Sequence, residues 1–144
     1  MIRKAGPQDI KDVARLAVAL WPEHTTEEME AEYCALLSDA DCAVFLSVHD
    51  GEANGFAQCQ LRRDYVEGTE TSPVGYLEGI FVAAPFRNRG IAASLLAACE
   101  DWARETGCTE FASDCELTNT DSLRFHLAAG FSEANRIICF VKRL

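Results

Sequence analysis

The stretch from Tyr76 to Glu105 constrains the fold more than any other part of the chain. Tyr76–Ala84 is an apolar run that reads as a strand and stops at Pro85. After Arg87-Asn88-Arg89-Gly90, the residues Ile91, Leu95, Ala98 and Trp102 recur on one face at helical spacing, and Gly107 ends that helix as a left-handed cap would. A strand that gives way to a helix within a few residues has to bury one face of each against other layers, so the stretch calls for a mixed α/β structure.

The remaining elements follow the same logic. Met1–Ala5 is a short strand candidate punctuated by Gly6-Pro7. Ile10, Val13, Leu16, Ala17 and Leu20 then predict a helix over 7–20, with Pro7 at the first helical position. Thr25 or Thr26 caps a second, Glu-rich helix that ends near Ser38. Cys42–Val48 and Gly55–Leu61 flank Asp50-Gly51 and read as a hairpin. A polar loop over 64–75 contains Ser72-Pro73. A strand over 110–114, a helix over 119–129 closed by Gly130, and a last strand over 136–142 complete the chain. The 144 residues fit a single domain, 1–144, with no repeat or linker.

Composition narrows the partners. Thirteen Lys and Arg against 23 Asp and Glu give a net charge of −10, which disfavours nucleic acid and suits a cationic ligand. No apolar run approaches the roughly 20 residues that span a bilayer, and the N-terminus lacks an apolar signal core. A soluble, cytoplasmic protein without membrane partners is the expectation. The seven cysteines include no Cys-x-x-Cys, and most lie among apolar residues. Reduced, buried thiols are expected rather than a zinc site or a disulfide frame.

Chemistry concentrates in Arg87-Asn88-Arg89-Gly90-Ile91-Ala92. A helix N-terminus offers unpaired N–H groups and the positive end of the helix dipole. Gly90 and Ala92 let a phosphate approach the backbone, and Arg87 and Arg89 add positive charge in an acidic protein. The segment reads as an anion site suited to a diphosphate. It is neither a Walker loop nor a GxGxxG fingerprint, and a basic loop that merely precedes a helix is the plainer alternative.

Arg-x-x-Gly-x-Ala after an apolar strand resembles the acetyl-CoA signature of the GCN5-related N-acetyltransferases. Leu77-Glu78-Gly79-Ile80-Phe81-Val82 is similar to that superfamily's central strand, and 119–131, ending Ala129-Gly130-Phe131, to its second conserved block. Further segments, Leu20–His24, Arg63–Val66, Ser72–Val74 and Ala112–Asp114, resemble the short single-domain branch of aminoglycoside 6′-N-acetyltransferases. The resemblance implies a mixed, mostly antiparallel sheet with splayed central strands, flanked by helices. It implies acetyl-CoA as co-substrate, no metal, a homodimer, and transfer of acetyl to the 6′-amine of an aminoglycoside in a ternary complex. Other small amines, such as a polyamine, a protein N-terminus, or a non-catalytic acetyl-CoA-binding module are the rival readings.

Roles follow residue by residue. Glu78 lies in the strand that leads to the anion loop and is the candidate general base, with Gly79 beside it suited to a bulge. A surface carboxylate at a strand edge is the alternative. Asp114 would hold the reacting amine or a neighbouring ammonium, serve as base itself, or simply close its strand. By resemblance, Ile80, Phe81 and Val82 line the cofactor arm, and Arg87, Asn88, Arg89, Gly90, Ile91 and Ala92 hold the diphosphate. Asn119 is either a cofactor contact or a plain N-cap. Trp21, His24 and Tyr65 are candidates for the acceptor wall. Relatives in the wider superfamily carry a Tyr as general acid. Phe125 and Phe140 stand at candidate positions here and cannot donate a proton, while His126 sits beside the first.

Overall fold

A computed structural model describes residues 1–144. Its sheet has the order β1-β2-β3-β4-β5: β1 (Ile2–Lys4), β2 (Cys42–His49), β3 (Glu52–Arg62), β4 (Val74–Val82) and β5 (Phe111–Ser113). The first four pair antiparallel, and β5 runs parallel to β4. The helices are α1 (Ile10–Leu20), α2 (Thr26–Leu36), α3 (Ile91–Glu105) and α4 (Thr120–Ala128). This is the mixed, mostly antiparallel α/β architecture expected from the sequence.

Strand alternation sorts the apolar residues into two cores. Val44, Leu46 and Phe56 meet Val13, Leu16 and Ala17 of α1 and Met29 and Tyr33 of α2. Their neighbours Ala43 and Ala57 point the other way and meet Leu95, Leu96, Cys99 and Trp102 of α3. A strand covered on both faces needs a nearly continuous apolar sequence, and 42–48 and 53–59 supply it. The turn between β2 and β3 places Asp50 at φ 51° and Gly51 at φ 79°, the left-handed pair that matches strand twist.

Local signals set the helix ends. Thr25 caps α2 through its hydroxyl, which accepts from the Glu28 N–H at 3.2 Å, while Glu28 reaches back to the Thr25 N–H at 3.4 Å. The 7–20 helix begins as a 3-10 turn, Pro7–Asp9, before α1 proper. There Arg3 makes two bonds of 2.8 and 2.7 Å to the buried Asp9 carboxylate and ties β1 to that turn. The bonded guanidinium, together with the Gly6 N–H, holds the Asp9 carboxyl below its usual range despite burial.

Two expectations are corrected. The strand expected over 136–142 does not form, and residues 131–144 contribute no helix or strand. The segment has strand-like composition, but no edge within the chain pairs with it. A lone strand without a ladder leaves its backbone polar groups unpaired and has no stability of its own. Ile137, Ile138, Phe140 and Val141 are accordingly exposed. The cysteines also depart from uniform burial: Cys59, Cys99 and Cys108 are buried, but Cys34, Cys115 and Cys139 are exposed. Apolar neighbours in sequence did not place Cys34 and Cys139 inside, because α2 turns Cys34 outward and Cys139 lies outside the sheet, as does Cys115 between Asp114 and Glu116. Burial pushes the half-buried Cys42 thiol up to about 11, so it is no nucleophile at neutral pH.

Candidate active site

The candidate site has two ends joined by β4, named donor and acceptor after the roles the sequence leads one to expect of them. β5 pairs with β4 only at Gly75, Tyr76 and Leu77. From Glu78 to Val82 the β5 side of β4 has no partner strand, which is the splay expected at the centre of the sheet. Ile80, Phe81 and Val82 therefore lie on a strand edge open to a ligand. Beyond them Arg87 Nε donates to the Val82 carbonyl at 2.8 Å and stacks over Phe81, and Arg89 stacks over Phe86. Asn88 at φ 61° and Gly90 at φ 78° are left-handed and curl the chain into α3. The first hydrogen bond of that turn runs from the Ser94 N–H to the Gly90 carbonyl at 3.1 Å, so the N–H groups from Asn88 to Ala93 have no protein acceptor.

This is a fuller run of free donors than the four at any helix start. Nothing lies within 4 Å of where a Gly90 Cβ would stand, so the backbone there is open to approach. Donors, dipole and two arginines fit a diphosphate group. Asn119 caps α4, its Oδ1 accepting from the Ser122 N–H at 3.1 Å, which is the plainer of its two expected roles.

At the acceptor end the register fixes Glu78. Gln58 pairs with Gly79 and Cys59 pairs with Leu77, so Glu78 is the extra residue of a β-bulge. The bulge expected at Gly79 is thus centred one residue earlier. Gly79 has a different reason to be glycine: a Cβ there would stand 2.6 Å from the Trp21 indole carbons. Trp21 packs across β4 at this point and makes an edge contact with Phe56, against the α1 core.

The Glu78 side chain is 21% exposed and is not free. Arg62 donates to it three times, Nε to Oε1 at 3.1 Å, Nη2 to Oε1 at 2.7 Å and Nη2 to Oε2 at 3.0 Å. The same guanidinium lies 3.5 Å above the centroid of Tyr76, whose hydroxyl donates to Asp114 Oδ2. Burial first, and Asp114 second, push the Tyr76 hydroxyl well up, so it remains a proton donor. The two candidate carboxylates are thus linked through Arg62 and Tyr76, neither of which the sequence singled out. Their only sequence signal was polarity inside apolar strands; the pairing depends on register.

A cavity of about 650 Å³ opens here, lined by Arg62, Tyr65, Tyr76 and Asp114 among others. Tyr65 is 78% exposed and donates to Glu67 at 3.2 Å. His24 lies away from this cavity, exposed and bonded to Glu28 at 3.2 Å, which is the behaviour of a plain surface residue. Residues 132–137 form one wall, held by the Asn135 amide donating to Glu67 at 2.7 Å. Phe140 is exposed and Phe125 packs against the α3 core. His126 Nδ1 donates to the Ser122 carbonyl at 2.7 Å, and Nε2 lies 2.8 Å from the Ser113 hydroxyl.

A sheet splayed beside a free-donor loop defines a class, and comparison with known proteins agrees: the acetyltransferase (GNAT) family model matches residues 10–131, and the chain belongs to that family. Within it, the chain is 43% identical over 96% of its length to aminoglycoside N(6′)-acetyltransferase type 1 of Stenotrophomonas maltophilia, covering 90% of that protein. It is 41% identical to the enzyme of the same name from Salmonella enteritidis, over 99% of this chain and 98% of the other. Among solved structures, AAC(6′)-Iy in complex with the bisubstrate analogue CoA-S-monomethyl-acetylneamine superposes with a TM-score of 0.96 at 40% identity, covering 100% of this chain and 98% of that one. AAC(6′)-Ih from Acinetobacter baumannii superposes at 0.94 with 37% identity, with the same coverage.

Proposed function

We propose that this chain transfers the acetyl group of acetyl-CoA to the 6′-amine of aminoglycoside antibiotics and thereby inactivates them, by direct attack in a ternary complex. The observation that carries the reading is the likeness to enzymes named for that activity, which runs essentially the full length of both chains. The open edge of β4, the free N–H groups of the loop and the carboxylates of the acceptor end supply the chemistry such an enzyme needs.

Acetyl-CoA, when bound, supplies an acyl thioester that a neutral amine can attack. The chain's residues then divide the work. The backbone of Asn88, Arg89, Gly90, Ile91 and Ala92, with the charge of Arg87 and Arg89, holds the diphosphate. The open edge at Ile80, Phe81 and Val82 holds the cofactor arm, and an N–H there polarises the thioester carbonyl. Asn119, at the start of α4, closes the cofactor side. Glu78 takes the proton from the acceptor ammonium, directly or through water. Asp114, fixed by Tyr76, orients that amine or a neighbouring ammonium. Trp21 and Tyr65 form the wall against which the sugar rings lie.

The whole of 1–144 acts as one domain, in the cytoplasm, as a homodimer. The exposed apolar side chains of Ile137, Ile138, Phe140 and Val141 support the dimer, since so many large apolar residues exposed within one short segment call for a partner. No helix is long and apolar enough to cross a membrane. The test of the reaction is the product: NMR of kanamycin incubated with the protein and acetyl-CoA should place a new acetamide on the 6′-nitrogen. An acetamide on another nitrogen overturns the assignment.

A further inference from the structure

The most heavily bonded side chain at the acceptor end is Arg62, at the end of β3. Its guanidinium occupies both oxygens of Glu78 through three hydrogen bonds and rests on the face of Tyr76, whose hydroxyl is committed to Asp114. Arg62 lines the 650 Å³ cavity and Glu78 does not, so an acceptor entering it meets the guanidinium and not the carboxylate. With three of its roughly four acceptor positions taken by a guanidinium, the carboxylate has little capacity left to bind an ammonium or take its proton. Guanidinium remains charged throughout and cannot relay that proton.

We propose that Arg62 is a placeholder cation that holds Glu78 until an acceptor ammonium displaces it. The proposal rests on the reading of Glu78 as the acceptor-facing base. Arg62 is suited to leave. Its side chain is 37% exposed, so it can give up Glu78 without losing its hydration, and it can slide on the Tyr76 ring without finding a new buried partner. The exchange costs every amine the same. A monoamine returns one ion pair for the one broken and gains little. A polycation recovers the cost through additional contacts with Asp114, Glu67 and Glu116 around the cavity. The placeholder therefore sets a threshold that favours polycationic acceptors at working concentrations.

The test compares wild type with Arg62→Ala and Arg62→Gln, each checked for an unchanged thermal unfolding profile. Acceptor KM for kanamycin should fall about fivefold in both, the size of releasing one solvent-accessible ion pair, with kcat not reduced. Guanidinium chloride, against sodium chloride at equal ionic strength, should raise KM competitively in Arg62→Ala and much less in wild type, because only the variant has the vacated position. In a Glu78→Gln background, Arg62→Ala should no longer change KM. A rise in KM or a fall in kcat on removing Arg62 would mean that it holds Glu78 in its working position, and would overturn the placeholder. Equal guanidinium inhibition of both forms would overturn it as well. The underlying reading fails separately: Glu78→Gln alone would then leave kcat/KM for kanamycin unchanged.

Discussion

The donor and acceptor ends of the site are built from different parts of the chain. The donor end is mostly backbone, an open strand edge and a left-handed loop whose N–H groups point outward, assembled from one contiguous stretch, 78–93. The acceptor end is side chains from three strands and their flanks, Arg62, Tyr76, Glu78 and Asp114, joined by hydrogen bonds between residues 16 to 38 apart in sequence. A backbone site, apart from its glycines and the two arginines, places few demands on side chains and needs only local geometry. A side-chain site depends on register, and a slip of one residue would dismantle it. The two ends should therefore respond to substitution in opposite ways.

The largest effect is expected at Glu78. Glu78→Gln should lower kcat/KM for kanamycin by about 10²–10⁴, the usual worth of a general base, while calorimetry finds its acetyl-CoA affinity within a factor of about two of wild type. Loss of cofactor affinity in this variant would break the separation between the ends. Gly90→Val is the reverse case. A β-branched residue at φ 78° carries strain of about 1–3 kcal/mol and covers the open backbone, so acetyl-CoA should bind about tenfold more weakly, with kcat at saturating cofactor little changed. Tyr76→Phe removes the donor that fixes Asp114 and should raise the acceptor KM about fivefold, one hydrogen bond's worth, leaving the cofactor KM unaffected.

The smallest effect on catalysis is expected far from both ends. Asp9→Asn should leave kcat and both KM values unchanged but destabilise the fold by about 2 kcal/mol in urea, because Arg3 and the Gly6 N–H lose a charged acceptor. Asp9 has its carboxyl held low in the folded state, so the stabilisation it gives is fully present above about pH 4 and is lost as pH falls through the folded value. The wild-type midpoint should therefore drop on acidification below pH 4 more steeply than that of Asp9→Asn.

The same contrast explains what could be read from the sequence. Periodicity located α1 and α3, which bury a regular face, while caps, turns and apolar runs located the other helices and the strands. The donor loop was legible because it is contiguous and its logic is local. Glu78 and Asp114 stood out as carboxylates at strand positions, yet Arg62 and Tyr76 did not. Nothing in a linear sequence announces that the residue at the end of β3 will fall opposite a bulge in β4. Trp21 was singled out as a candidate for the acceptor wall, but its packing on Gly79 depends on the crossing of α1 over β4. The segment 136–142 had the composition of a strand and no partner within the chain, and composition is silent about partners.

The central claim is that the acceptor end reads a 6′-amine. Its most direct test is free thiol released from acetyl-CoA with kanamycin, which carries that amine, beside paromomycin, which carries a hydroxyl in its place. Turnover with kanamycin and none with paromomycin is the predicted result. Turnover with both would contradict the position, and turnover with neither would contradict the acceptor class while leaving the acetyltransferase fold in place.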